Sequence, residues 1–253
     1  QQFIPISAIP VVFTQKQDKD HTYMQIKFLG TGGAFDVDYL NSAALVTIRG
    51  KCLLLDCGFT VYQTLVHKNL LHRVDHILLT HLHNDHCGSL ANLLLHKHVV
   101  DKAPKPTILY PTDQFRAQVY EFLKIQVKDP DKYVEFVPLE RFEGIRAVDT
   151  YGMHSEGLQS FAYIFEEEGN RMVYSGDLGK PDTLFDKLSR MPSLPTCVYH
   201  DITFNPEHTG HTFYKKLLPY MNGIEMFGYH CDPTQNPEDN PIRLVFYQKD
   251  LLA

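Results

Sequence analysis

The sequence has few of the features that mark secreted, membrane and nucleic-acid-binding proteins. It has no tryptophan, five cysteines in 253 residues, and 24 basic against 30 acidic residues, which gives a net charge of −6. An odd number of scattered cysteines argues against a disulfide-stapled secreted domain. No apolar run approaches the roughly 18 residues that a membrane-spanning helix needs. The acidic balance lacks the electrostatic footprint expected for binding a large nucleic acid. We therefore expect a cytoplasmic globular protein.

The pattern of apolar residues predicts one α/β domain. Residues 1–23 mix an apolar, proline-containing part with a polar part, and we expect them to be an N-terminal extension of uncertain role outside a core domain at 24–253. Strands are predicted at 24–29, 42–47, 51–56, 74–79, 107–110, 133–138, 145–150, 161–165, 171–174 and 224–229. Helices are predicted at 60–70, 89–96, 112–127 and 212–221. Strands that recur between helices indicate layered sheets and helices.

A cluster of metal-ligand side chains follows the strand predicted at 74–79. His81 and His83 are two residues apart, so in an extended chain they point the same way. Asp85 and His86 follow where the chain bends towards the next helix, so they can face a second point nearby. Imidazole and carboxylate ligands in one strand-to-helix turn therefore predict two neighbouring metal ions.

The stretch His81-x-His83-x-Asp85-His86, followed by Gly88, resembles the signature of the metallo-β-lactamase superfamily. The resemblance implies an αββα sandwich, in which two mixed β-sheets are flanked by helices and a dinuclear metal site lies at one sheet edge. It also implies three further ligands, which are His154, Asp177 and His230. The first ion would take His81, His83 and His154, the second Asp85, His86 and His230, and Asp177 would bridge both. Nitrogen and oxygen donors favour two divalent zinc ions, and manganese and iron stay open.

A second stretch resembles the ribonuclease Z branch of that superfamily. The residues His200-Asp201-Ile202-Thr203-Phe204 and Gly210-His211-Thr212 are similar to the H-E-A-T-F and G-H-S-T motifs of that branch, with Asp201 in place of Glu and Thr212 in place of Ser. We expect His211, oriented by Asp201, to protonate the leaving alkoxide, with Asp85 as a further catalytic residue. The alternative for Gly210–Thr212 is that it only caps the helix predicted after it. Asp56, in a D-C-G stretch that the branch shares, is expected to support a ligand histidine.

The short interval between two of the expected ligands points to a small substrate. His154 and Asp177 are 23 positions apart, which leaves room for one hairpin but not for the long arm of transfer-RNA-processing ribonuclease Z enzymes. Within this branch the chain is most similar to anti-Pycsar enzymes, which hydrolyse 3′,5′-cyclic nucleotides to nucleoside monophosphates. The resemblance implies a homodimer and a role in evading cyclic-nucleotide signalling against phage. Thr31 and Gly32, in the G-T-G loop of the branch, and Asn41 are expected to contact the substrate.

Three other functions are compatible with the same residues. The first is an RNA 3′-processing endonuclease of ribonuclease Z type. The second is a lactonase or thioester hydrolase, against which the region around His211 argues. The third is a non-catalytic nucleotide-binding sponge, which the complete set of seven expected ligands makes unfavourable.

Overall fold

The computed structural model describes residues 24–253, so the predicted extension at 1–23 lies outside the described residues. One six-stranded sheet is formed by β1 (Gln25–Gly30), β2 (Ala43–Ile48), β3 (Lys51–Leu55), β4 (His76–Leu78), β5 (Thr107–Tyr110) and β6 (Glu135–Pro138). The strands lie side by side in chain order. β1, β2 and β3 pair antiparallel, and β3 to β6 pair parallel. The sheet is therefore mixed, as the resemblance implied.

The second sheet has the same strand order and the same pattern of pairing. It contains β7 (Ile145–Asp149), β8 (Phe161–Glu167), β9 (Asn170–Tyr174), β10 (Thr196–Asp201), β11 (Ile224–Tyr229) and β12 (Arg243–Leu244), again in chain order. β7 to β9 pair antiparallel and β9 to β12 pair parallel. Expected ligands follow the carboxyl ends of β4, β9 and β11, each of which pairs parallel with a neighbour. β7, which precedes His154, runs in the same direction as β9 because both pair antiparallel with β8.

Five α-helices lie in the described part of the chain. They are α1 (Val61–His67), α2 (Asn84–Cys87), α3 (Leu90–Val99), α4 (Asp113–Val127) and α5 (Asp182–Ser189). Short 3₁₀ helices occupy Leu71–Arg73, Pro130–Lys132, Leu139–Arg141, Tyr214–Tyr220, Pro233–Gln235, Val245–Tyr247 and Lys249–Leu251. Thr112 caps α4, since its hydroxyl oxygen accepts the Phe115 N–H at 3.1 Å. Within residues 24–253, no helix is both long enough and apolar enough to cross a membrane.

The helix predicted at 212–221 is present, but it is shorter and of the 3₁₀ type. The chain forms a 3₁₀ helix at Tyr214–Tyr220 that contains Pro219, which has no N–H to donate. The residue before this helix is Phe213, which offers no side-chain cap. The Thr212 hydroxyl donates instead to the carbonyl oxygen of Leu178. Gly210–Thr212 therefore does not cap a helix, and the capping alternative is excluded.

The alternating faces of β8 show how the layers are arranged. Phe161, Tyr163 and Phe165 belong to the larger buried cluster, which includes aromatic residues of both sheets and the apolar faces of α1, α3 and α4. Ala162 and Ile164 belong to a second cluster, which includes α5 and the 3₁₀ helix at Tyr214–Tyr220. A strand buried on both faces is covered by a layer on each side. The fold is therefore helices, sheet, sheet and helices, which confirms the predicted αββα architecture.

Two hydrogen bonds join the sheets beside the strand end that leads into the motif. The Tyr163 hydroxyl, fully buried, donates to the carbonyl oxygen of Leu79 at 2.7 Å. The Phe161 N–H donates to the carbonyl oxygen of Thr80 at 2.9 Å. The backbone just before His81 is therefore fixed to the opposite sheet.

We expect Tyr163→Phe to lower the free energy of unfolding by about 1–3 kcal/mol, because the Leu79 carbonyl would be left buried without its donor. Chemical denaturation measured by circular dichroism checks this value. Tyr151→Phe is the matched control, because Tyr151 is 52% exposed and should change stability little. Equal effects of the two substitutions would contradict the role given to the Tyr163 hydroxyl.

Candidate metal centre

The turn after β4 brings its four ligand-type side chains to one place. His81 and His83 lie in the extended segment before α2, and their Nε2 and Nδ1 atoms are 3.1 Å apart, as the two-residue spacing predicted. α2 then turns the chain so that the Asp85 carboxylate lies 3.2 Å from Nε2 of His86. Asp85 and His86 are buried, and His81 is fully buried.

Asp56 supports this turn from the end of β3. Its carboxylate accepts the Thr80 N–H at 2.7 Å and lies 2.9 Å from Nδ1 of His86. An imidazole that donates from Nδ1 to a carboxylate presents the lone pair of Nε2 on its other side. Asp56 therefore orients His86, which is the supporting role predicted for it.

Backbone contacts set how closely β3 approaches the turn. The Cys57 N–H donates to the His86 carbonyl at 2.7 Å, and the Ser89 N–H donates to the Cys57 carbonyl at 3.0 Å. A Cβ atom on Gly58 would lie 1.9 Å from the carbonyl oxygen of Asp85. Only glycine fits at this position, since the two backbone segments are in direct contact.

The second sheet supplies the other three expected ligands. His154 follows β7, Asp177 follows β9, and His230 comes directly after β11. Nδ1 of His154 donates to the Gly210 carbonyl at 2.7 Å, and Nε2 lies 3.0 Å from Nδ1 of His83. His230 has a positive φ of 63°, and its N–H donates to the Thr31 carbonyl at 2.8 Å. The structure thus brings together all seven of the ligands expected from the sequence.

Asp177 lies at the centre of the cluster. Its Oδ2 atom is 3.3 to 3.9 Å from ring nitrogens of five imidazoles, those of His81, His86, His154, His211 and His230. Its Oδ1 atom is buried and has no hydrogen-bond partner among the described residues. A buried carboxylate oxygen without a donor carries a large desolvation cost. This position therefore suits a cation.

The arrangement of the side chains fits two cations. The nitrogens of His81, His83 and His154 lie within 4.8 Å of one another, and so do ligand atoms of Asp85, His86, Asp177 and His230. Burial, followed by the neighbouring His86, lowers the pKa of His81 well below its usual value, so this imidazole is neutral, as a ligand must be. Burial alone would raise the pKa of Asp177, but His230 and His86 hold it well below its usual value, so it stays ionised.

His211 and Asp201 form a hydrogen-bonded pair beside this cluster. Nδ1 of His211 lies 2.8 Å from Oδ2 of Asp201, whose own N–H donates to the Ser175 hydroxyl at 2.9 Å. His200 lies 3.1 Å from the other carboxylate oxygen of Asp201. Burial would lower the pKa of His211, but the hydrogen bond and charge of Asp201 raise it to about 9. His211 is therefore protonated at neutral pH, as a general acid requires.

The three predicted substrate contacts lie near His230 and α1. The Thr31 carbonyl holds the His230 backbone, and Gly32 follows it in the same loop. The Asn41 carboxamide oxygen accepts the Thr60 N–H at 3.1 Å, so this side chain supports the start of α1. Thr31 and Asn41 are each 3% exposed. Their contact with substrate stays a prediction.

Two histidines beside the site were not predicted to act there. His200 is fully buried against Asp201, and the exposed ring of His208 lies 4.8 Å from that of His211. The His208-x-x-His211 spacing was a usable signal, because two imidazoles three residues apart in a turn can approach each other. Nothing in the sequence indicated the role of His200, since it depends on the register of β10.

Comparison with known proteins agrees with this geometry. The family model described as Anti-Pycsar protein Apyc1 matches residues 24–245. An Anti-Pycsar protein Apyc1 of Bacillus phage BSP38 is 29% identical over 221 residues, covering 78% of this chain and 83% of the relative. The protein of that name from Saccharibacillus brassicae is 26% identical and covers 90% of this chain and 99% of its own length.

Solved structures share the fold at low identity. The metallo-β-lactamase fold protein YhfI of Bacillus subtilis has a TM-score of 0.66 at 19% identity, covering 87% of this chain and 90% of its own. Human tRNase Z, short form, has a TM-score of 0.59 at 19% identity, covering 83% and 94%. These likenesses confirm the fold. Because the family model spans nearly all of the described residues, the chain belongs to the Anti-Pycsar protein Apyc1 family of metallo-β-lactamase-fold proteins.

Proposed function

We propose that this protein is a dinuclear metal-dependent phosphodiesterase that hydrolyses 3′,5′-cyclic nucleotides to nucleoside monophosphates. The observation that carries the proposal is the convergence of five imidazoles on Oδ2 of Asp177, with one of them, His211, paired to Asp201. A set of buried nitrogen and oxygen ligands beside a protonated histidine is suited to attack on phosphorus with protonation of the leaving oxygen.

Each ion has its own group of ligands in this proposal. His81, His83 and His154 would hold one, Asp85, His86 and His230 would hold the other, and Asp177 would bridge them. The nitrogen and oxygen donors favour zinc, with manganese as the alternative. When bound, such ions polarise the phosphate and lower the pKa of water.

The reaction consumes one water molecule for each phosphodiester. The water gives up one proton to solvent as its oxygen bonds to phosphorus, and the bond from phosphorus to one ribose oxygen breaks. His211 gives its proton to that ribose oxygen and regains one from solvent before the next turnover. Asp201 keeps His211 protonated and fixes its ring through the 2.8 Å hydrogen bond. Because Nδ1 of His211 faces Asp201, its Nε2 is the atom from which the proton is delivered.

The structure around the site supports a small substrate. β8 and β9 form a hairpin that fills most of the chain between His154 and Asp177, so the described residues have no protruding arm there. The relatives are named Anti-Pycsar proteins. The resemblance found in the sequence implies a cyclic-nucleotide substrate. We therefore propose that the protein counters cyclic-nucleotide signalling, and a homodimer stays a prediction.

Hydrolysis of a substrate panel tests the proposed reaction. The purified protein, loaded with zinc or manganese, is incubated with 3′,5′-cyclic pyrimidine and purine nucleotides, a precursor transfer RNA, a lactone and a thioester. We expect nucleoside monophosphates from at least one cyclic nucleotide, detected by chromatography. Cleavage of the RNA or the acyl substrates alone would overturn the proposal.

Removing a ligand should remove both bound metal and activity. We expect His81→Ala and Asp177→Ala to lower the metal content measured by emission spectroscopy and to bring turnover below detection, because each removes a ligand from a buried charged cluster. His72→Ala is the control, since His72 is exposed and lies outside the cluster. Normal metal content in Asp177→Ala would contradict the bridging assignment.

Removing the Asp201 charge should move the pH profile. The rate should fall as pH rises through the pKa of His211, because only protonated His211 acts as the acid. In Asp201→Asn the negative charge that helps to raise this pKa is lost, so the alkaline limb of kcat/KM should move to lower pH. His211→Ala should lower the rate by about 10²–10⁴-fold and abolish this limb. An unmoved limb in Asp201→Asn would exclude His211 as the titrating acid.

A further inference from the structure

His208 lies at the exposed edge of the site. It belongs to the loop between β10 and the 3₁₀ helix at Tyr214–Tyr220, and its ring stands 4.8 Å from that of His211 at an angle of 43°. His208 is exposed, whereas the His211 side chain is 18% exposed. From the interior towards solvent, the three side chains therefore lie in the order Asp201, His211, His208.

One hydrogen bond defines the tautomer of His208. The Gly210 N–H donates to Nδ1 of His208 at 3.2 Å. Since a backbone N–H can only donate, Nδ1 is unprotonated and the ring proton is on Nε2. Burial, then the neighbouring His211 and His154, lower the pKa of His208, which favours the same neutral form. Within residues 24–253 the His208 side chain makes no other hydrogen bond, so the Nε2–H donor is available to a ligand.

The same short turn fixes the position of this donor relative to the site. The Gly210 carbonyl accepts the bond from Nδ1 of His154 at 2.7 Å, while the N–H of Gly210 holds His208. The two peptide groups that flank Gly210 therefore link the His208 ring to His154, which is an expected metal ligand. The position of the His208 ring therefore depends on the metal-ligand cluster as well as on the loop that carries His208.

The direction of the reaction decides what His208 would meet. In an in-line displacement the leaving oxygen departs on the side opposite to the attacking water, and the general acid stands next to the leaving oxygen. In the proposed reaction that acid is His211, so the group attached to the leaving oxygen lies beside His211, within reach of the neighbouring His208 ring. For a cyclic nucleotide this group is the ribose, which carries hydroxyl and ether oxygens.

We propose that His208 is a substrate-binding residue whose Nε2–H donates a hydrogen bond to an oxygen of the ribose that carries the leaving oxygen. The inference rests on the proposed phosphodiesterase function and names the part of the substrate that this residue recognises. This role predicts that the protein prefers phosphodiesters whose leaving oxygen belongs to a sugar. Phosphodiesters whose leaving group has no hydrogen-bond acceptor near phosphorus should be poorer substrates.

Two substitutions separate this role from a structural one. In His208→Asn the side-chain oxygen can take the place of Nδ1 and accept the Gly210 N–H, but the Nε2–H donor is lost. In His208→Gln the amide nitrogen reaches the position of Nε2 and keeps a donor, but the acceptor for Gly210 is lost. A substrate-binding role predicts damage in the Asn variant, and a turn-forming role predicts damage in the Gln variant.

The experiment measures kcat and KM of wild type and both variants with a 3′,5′-cyclic nucleotide and with bis(p-nitrophenyl) phosphate, whose aryl leaving group has no sugar oxygens. We expect His208→Asn to lower kcat/KM for the cyclic nucleotide by about tenfold, mainly through KM, because one hydrogen bond to substrate is lost. His208→Gln should stay within about threefold of wild type. Both variants should match wild type on the aryl substrate and in metal content.

The outcomes separate this inference from the function on which it rests. Wild type that hydrolyses no cyclic nucleotide overturns the proposed function, and the role of His208 with it. Active wild type with an unimpaired Asn variant overturns the role of His208 alone. An Asn variant impaired equally on both substrates, or impairment confined to the Gln variant, also overturns it and assigns His208 to the turn.

Discussion

The site depends on one buried carboxylate surrounded by imidazoles. Asp177 is 2% exposed, and its Oδ2 atom has five ring nitrogens within 4.0 Å, contributed by segments that follow strands of both sheets. Buried charged and polar side chains can lie this close together only where a further hydrogen bond holds each one in a fixed orientation. Asp56 does this for His86, the Gly210 carbonyl for His154, and Asp201 for His211. The supporting hydrogen bonds are thus as much a part of the site as the ligands.

The two sheets are held together where this support is needed. The hydrogen bonds from Tyr163 and Phe161 to the carbonyls of Leu79 and Thr80 fix the first half of the site to the second sheet. The hydrogen bond from the His230 N–H to the Thr31 carbonyl joins the end of β11 in the second sheet to the loop after β1 in the first. Asp56 and His230 both have positive φ, an uncommon backbone state for residues other than glycine. Local strain at these two strand ends is maintained by the surrounding contacts.

Local patterns predicted much of this structure, and long-range register accounts for what they missed. The strands at 42–47 and 51–56 and the helix at 112–127 were predicted close to β2, β3 and α4. Arg49 and Gly50 join β2 to β3 with φ values of 50° and 70°, which suit a tight turn. The ligand set followed from the motif and the resemblance. β10 and α5 were not predicted, and the position of Asp201 opposite Tyr229 comes from the parallel pairing of β10 with β11. Such pairing joins residues whose contact no short sequence window encodes.

Gly58 shows that the placement of the ligand-bearing turn is a matter of backbone sterics. A Cβ atom there would overlap the Asp85 carbonyl oxygen, so the segment after β3 meets α2 main chain to main chain. The separation of these elements is consequently independent of the side chains on the surrounding helices. Substitutions on the outer surfaces of α1 and α3 should therefore leave the positions of Asp85 and His86 unchanged.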